Sequence, residues 1–152
     1  MKPIAIKATA QKGSIITFNC QVFKALNNRD KSQSRKSFPA KLFFDTGASN
    51  GTISKQLVTA LGLKPLDRRV TIVTATGRQE NTPIYLVDIL IDNILPITAY
   101  PVFEGFDHKG AVEITVGMSG IMLGDFAITN LGMISIATFR MPSISTIDFT
   151  KN

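Results

Sequence analysis

With 152 residues, 44% of them hydrophobic and 18% charged, the chain is long enough for one domain spanning 1–152 with a real core, and short for two. Its apolar stretches are broken by Asp88, Asp92 and Asn93 or by Gly132 and Ser135, so none approaches the ~20 residues that cross a bilayer, and Lys7 and Lys12 interrupt the apolar centre of any signal peptide; a cytoplasmic protein with no membrane association is expected. The lone Cys20 and lone His108 exclude a disulfide framework and a Cys- or His-rich metal centre, and His108 sits in the polar turn sequence Asp107-His108-Lys109-Gly110, better suited to solvent than to a Ser/His/Asp relay.

In chain order, runs rich in Ile, Val, Phe and Thr predict strands over Ile4–Ala8 and Ser14–Phe23. A loop at about 25–37 follows, and much of the net charge of +6 lies between Lys24 and Lys36, where Lys24, Arg29, Lys31, Arg35 and Lys36 stand against Asp30 alone. The loop is rich in Asn, Ser and Gln and has no aromatic residue between Asn27 and Ser37 to stack on a base, so a solvated loop is expected and nucleic acid is not. A strand over Ala40–Phe44 comes next. Leu57, Val58 and Leu61 then recur at helical spacing behind Ser54, with Gly62 and Pro65 as stop signals, which predicts a helix over Ser54–Leu61.

Further strands are predicted over Arg69–Thr74, Ile84–Ile91, Ile94–Val102, Glu113–Val116 and Ile134–Arg140, with a second short helix starting near Met118 or Asp125 and weakened by Gly120 and Gly124. The fold class is therefore mostly β with one or two short helices. Asp88 and Asp92 lie in an alternating strand region and read as two polar outward residues. The segment 141–152 has no pattern that assigns it to an interface strand or to a tail.

The most informative stretch is Lys41-Leu42-Phe43-Phe44-Asp45-Thr46-Gly47-Ala48-Ser49. An apolar strand runs straight into a carboxylate, which must find donors or stay near water. Thr46 and Ser49 can hydrogen-bond locally, and Gly47 permits a tight bend and close approach of another chain. An Asx-type turn capping a strand would use the same residues.

This stretch resembles the active-site loop of the retropepsin-like (retroviral-type) aspartic proteases, an apolar strand followed by Asp-[Thr/Ser]-Gly-Ala-[Ser/Thr]. The resemblance continues in order through the helix ending at Leu61-Gly62-Leu63, through Val73-Thr74-Ala75-Thr76-Gly77, similar to the family's flap hairpin, and through Glu113-Ile114-Thr115-Val116-Gly117-Met118, similar to the segment beneath the catalytic loop. The stretch Leu123-Asn130 and the tail Phe139-Ser143 look like a bacterial branch of these proteins. After Gly117-Met118 the family places Asp or Asn and then an apolar residue, whereas this chain has Ser119 and Gly120; a second register would put Met122-Leu123-Gly124 in that role with Asp125 nearby.

The resemblance implies a closed acid-protease β-barrel with its active site at a homodimer interface, and hydrolysis of a peptide or protein substrate. Such chemistry needs two carboxylates sharing a proton, an arrangement for which aspartic proteases are the standard case. No other Asp here precedes Thr-Gly or Ser-Gly, so the second carboxyl has to come from a second copy. By resemblance, Asp45 is the acid and base, while Thr46 and Gly47 lock the two loops and meet substrate. Ala48, Val73, Ala75, Thr76, Gly77 and Val116 bind substrate, and no metal or organic cofactor is implied. The alternative is a catalytically silent peptide-binding or scaffold module on the same fold. Other motifs fall short: Gly117-Met118-Ser119-Gly120-Ile121 lacks the second glycine of a nucleophile elbow, and Asn50-Gly51-Thr52 is a glycosylation sequon without a secretory signal.

Overall fold

A computed structural model describes residues 2–26, 35–74, 77–105, 111–146, 148 and 150. The elements are β1 (Ile4–Gln11), β2 (Phe18–Lys24), β3 (Ser37–Phe44), β4 (Gly51–Ile53), α1 (Lys55–Leu61), β5 (Arg69–Thr74), β6 (Gly77–Ile91), β7 (Leu95–Glu104), β8 (Ile114–Val116), α2 (Met118–Ile121), β9 (Asp125–Leu131) and β10 (Ile134–Met141). Hydrogen bonding runs β2-β3-β8-β4-β7-β6 and returns from β6 to β2, closing a six-stranded barrel from which β5 extends as the outer strand of the β5–β6 hairpin. A separate sheet has the order β1-β10-β9, leaving β9 at an edge.

Alternation along β3 explains why the chain enters the site as it does. Ala40, Leu42 and Phe44 are buried while Lys41 is exposed, so the strand anchors its inner face in the barrel. Phe44 meets Phe18 edge-on at 5.3 Å, Phe126 at 5.1 Å and Phe139 at 4.8 Å between ring centroids. These contacts tie the barrel to the β9–β10 hairpin one residue before Asp45. One core cluster runs from Ile6 on β1 to Phe139 on β10.

The helix α1 forms as its spacing predicts. Ser54 accepts the Leu57 N–H at 3.2 Å as N-cap, Leu57, Val58 and Leu61 are buried, and Gly62 closes the end at φ 60°. Lys36 donates to the Ala60 carbonyl at 2.9 Å, neutralising part of the helix C-terminus.

Several expectations need correction. The strand expected from Ser14 starts only at Phe18, and the strand expected from Ile84 starts at Gly77. Asp125 opens a strand, β9, and not a helix, while α2 is a single turn from Met118. Asp88 does not point to solvent. It sits 8% exposed at a register shift between β6 and β7, where it accepts from Arg35 at 2.5 Å and from the Ala99 N–H at 2.7 Å. A buried carboxylate is tolerated there because both a cation and a backbone donor reach it. Asp92 is half-buried in the β6–β7 turn, and burial holds its carboxyl above the usual range. His108 and residues 27–34 of the basic loop lie outside the described residues.

Candidate active site

Asp45 follows β3 directly, and its loop is fastened from below. The Asp45 N–H donates to the Val116 carbonyl at 2.9 Å, so the parallel β3–β8 pairing continues one residue past the strand. Gly47 donates its N–H to Asp45 Oδ1 at 3.0 Å, and the Ala48 N–H reaches the Asp45 carbonyl at 3.3 Å. Among the described residues the other carboxylate oxygen, Oδ2, accepts no hydrogen bond. Asp45 and Ala48 are half-buried, while Thr46, Gly47 and Ser49 are exposed.

The underside of the loop is the N-terminal end of α2. The Met118 N–H donates to Ala48 O at 2.8 Å and the Ser119 N–H to Ser49 O at 2.9 Å. A helix start leaves its first N–H groups without intrahelical partners, and here the loop's carbonyls supply them in place of a side-chain cap. Gly117 must be glycine for space: a Cβ would lie 2.5 Å from the Asn50 oxygen and 2.8 Å from the Ala48 oxygen. The Gly117 register is therefore the one beneath the loop. In the other candidate register, Gly124 packs against the Arg140 carbonyl, and Asp125 is held by Arg140 at 2.5 Å and by Ser143.

The residues expected to bind substrate occupy different settings. Val116 is fully buried, so its side chain fills the core while its carbonyl fastens Asp45. Val73 is 82% exposed on β5. Gly77 begins β6 at φ 139°, paired with Thr74 across a two-residue connection; Ala75 and Thr76, which form that connection, lie outside the described residues.

Two supports had no sequence signal of their own. Thr115 accepts the Thr52 N–H at 2.9 Å and lies 2.9 Å from the Thr52 hydroxyl, linking β8 to β4 under the loop. Tyr100 places its hydroxyl 3.2 Å from the Gly117 N–H and 3.1 Å from the Ser119 hydroxyl. The signal that could have revealed it is indirect, in that Gly51 and Gly120 are glycines with no turn to make. No cluster of three or more His, Cys, Asp or Glu able to hold a metal occurs among the described residues, and no described helix is long and apolar enough to cross a membrane.

A closed barrel that delivers an Asp-Thr-Gly loop on a parallel strand pair, braced by a glycine-led helical turn, defines a protein of the acid-protease type. Residues 35–119, more than half of the chain, match the family described as "gag-polyprotein putative aspartyl protease", and the chain belongs to that family. Among solved structures it is similar to a retropepsin-like aspartic protease from Rickettsia conorii, with a TM-score of 0.54 at 18% identity over 92% of this chain and 94% of that one. At this identity the likeness is one of fold. A search of curated proteins finds no match.

Proposed function

We propose that the chain is an aspartic endopeptidase that works as a homodimer, with the two Asp45 carboxyls facing each other across a twofold axis. The observation that carries this reading is the Asp45 loop, fastened from below by Val116, Met118 and Ser119, with one carboxylate oxygen accepting from Gly47 and the other accepting no hydrogen bond among the described residues. One Asp45 is ionised and takes a proton from water as it attacks the peptide carbonyl. The other, protonated, donates to the carbonyl oxygen. The tetrahedral intermediate then collapses, the C–N bond breaks, and the leaving nitrogen receives a proton from the dyad.

The proposed partner is a second copy. Exposed apolar side chains gather along the edge strand β9 and the turns at its two ends: Met122 is 75% exposed, Leu131 78% and Met133 73%. Among the described residues β9 is an edge strand without charge after Asp125, and such an edge is a pairing surface unless something covers it. The β5–β6 hairpin, with Val73 outward, serves as the flap over an extended peptide bound through its main chain. A cytoplasmic setting accompanies this reading, supported by a single buried thiol.

The test is cleavage of a fluorogenic peptide library between about pH 4 and 7. Turnover that disappears in Asp45→Asn supports the proposal, and a proven dimer with no Asp45-dependent cleavage rejects it. The silent-module reading has Ser119 and Gly120 as its motivation; it would be favoured by peptide affinity that survives Asp45→Asn in a protein that never cleaves.

A further inference from the structure

Three residues beneath the catalytic loop, Gly117, Ser119 and Gly120, converge on one side chain. Tyr100 rises from β7 and is 4% exposed. Its hydroxyl accepts the Gly117 N–H at 3.2 Å and meets Ser119 Oγ at 3.1 Å. Its ring lies in a slot between two glycines, since a Cβ at Gly51 would come 2.6 Å from Cε1 and one at Gly120 would come 3.1 Å from Cε2. Ser119 and Gly120, where the chain departs from the family pattern, are thus the residues that hydrogen-bond this tyrosine and make room for it.

We infer that Tyr100 is a positioning residue for Asp45, acting through the Val116–Ser119 backbone. Gly117 is buried, so its N–H requires an acceptor, and the Tyr100 hydroxyl is that acceptor. The next two N–H groups, of Met118 and Ser119, are spent on Ala48 O and Ser49 O, and the preceding carbonyl, of Val116, receives the Asp45 N–H. One hydroxyl therefore fixes the segment whose backbone groups hold the loop at three places. The ring is rigid and enclosed, so the hydroxyl position is set by the barrel and not by a flexible surface side chain. The inference rests on the protease reading for what Asp45 does.

The experiment compares wild type, Tyr100→Phe and, as a control for general destabilisation, Val22→Ala, a fully buried position on β2 paired with Phe38 and Ile89. Backbone amide exchange at Asp45, Met118 and Ser119 should accelerate about tenfold in Tyr100→Phe beyond the change in Val22→Ala, the effect of one lost buried acceptor. With a fluorogenic peptide, kcat should fall about tenfold with KM held within about twofold in Tyr100→Phe, while Val22→Ala leaves both near wild type. Exchange at the three amides no faster than in the control overturns the inference. If Tyr100→Phe does not fold, Ser119→Ala, at an exposed position, replaces it with an expected acceleration of about twofold, and no acceleration there overturns the inference equally. A wild type that cleaves no peptide overturns the protease reading, and the exchange result still decides whether Tyr100 braces the loop.

Discussion

Substituting Gly117→Ala probes the floor of the Asp45 loop directly. Gly117 has φ −83° and ψ −171°, which alanine adopts freely, so backbone strain is not the issue. The added Cβ would stand 2.5 Å from Asn50 O, 2.6 Å from Asn50 C and 2.8 Å from Ala48 O. All three are backbone atoms, so no side chain can rotate away. Reaching ordinary contact near 3.4 Å means lifting the loop by roughly 0.9 Å, the difference between 3.4 and 2.5 Å. The Met118–Ala48 and Ser119–Ser49 hydrogen bonds, now 2.8 and 2.9 Å, would stretch past useful length. Overpacking of this kind costs about 1–3 kcal/mol and the weakened bonds about 1 kcal/mol more, so a loss of about 2–4 kcal/mol is expected. For a chain of this size that lowers Tm by about 5–15 °C. In the proposed enzyme, a displacement near 1 Å at Asp45 should also reduce peptide turnover by about 100-fold. Thermal unfolding followed by circular dichroism and turnover of a fluorogenic peptide measure the two effects. A Gly117→Ala protein that melts within a degree or so of wild type and keeps its turnover would refute the close-packed floor described here.

Other consequences follow from groups away from the loop. Asp88→Ala leaves the Ala99 N–H without its acceptor and Arg35 with only the Lys24 carbonyl and the Phe23 ring as partners; a loss of about 1–3 kcal/mol is expected in urea titrations, and an unchanged midpoint would show that the pair contributes nothing. Burial, reinforced by Glu113 and Asp92, pushes the Cys20 thiol from an ordinary 9.0 up to about 12. A raised thiol contributes stability that is complete below about pH 9 and is lost as pH rises toward 12, by at most about 1.4 kcal/mol per pH unit. Cys20→Ala should flatten that decline, and an identical slope in the variant would contradict the burial account. The Ser143 hydroxyl, then Arg140, holds the Asp125 carboxyl below its usual range of 3.8. Its contribution is therefore present above that range and lost as pH falls through the depressed value, loosening Ser143 and Ile144 from β9. Protease nicking of that segment should begin at higher pH in Ser143→Ala, and an unmoved onset would sink the idea.

The parts of this molecule that local chemistry controls were legible in advance. Ser54, the Leu57-Val58-Leu61 spacing and Gly62 mark the ends and the buried face of α1 in the local sequence, and the alternation of Ala40, Leu42 and Phe44 about Lys41 specifies the strand that carries Asp45. Strand β9 was not legible, because Asp125–Leu131 does not alternate, its first three residues being half-buried and its last four exposed; its strand character comes from pairing with β10, whose own pattern is clear. Strand β4 is only three residues long and depends on β7 and β8 on either side. Asp88 misled because alternation assigns a face but cannot foresee a register shift that turns a carboxylate inward to Arg35. Tyr100 and Val116 show the same limit within the site: one acts through a hydroxyl that reaches Gly117, the other through a carbonyl, and neither long-range contact leaves a local pattern.

The placement of Asp45 bears on why one chain holds only half of the proposed site. Phe44 is fixed by three aromatic partners, and the Asp45 N–H is fixed by Val116, so the backbone entering the loop has little freedom. Gly47 occupies one carboxylate oxygen, which orients the group without neutralising it. A carboxylate used only to cap a turn would gain stability from this single contact and would not need Thr46, Gly47 and Ser49 exposed above it. Holding those three residues at the surface makes physical sense where another loop of the same shape is to meet them, because preorganised loops lose little entropy on docking. Two such carboxyls brought together cannot both ionise, so the proton shared between them, and with it the power to activate water, would arise only on association. Activity of the proposed enzyme should therefore fall on dilution more steeply than in proportion to protein concentration, and strictly proportional activity down to concentrations where sedimentation shows only monomer would exclude a shared dyad.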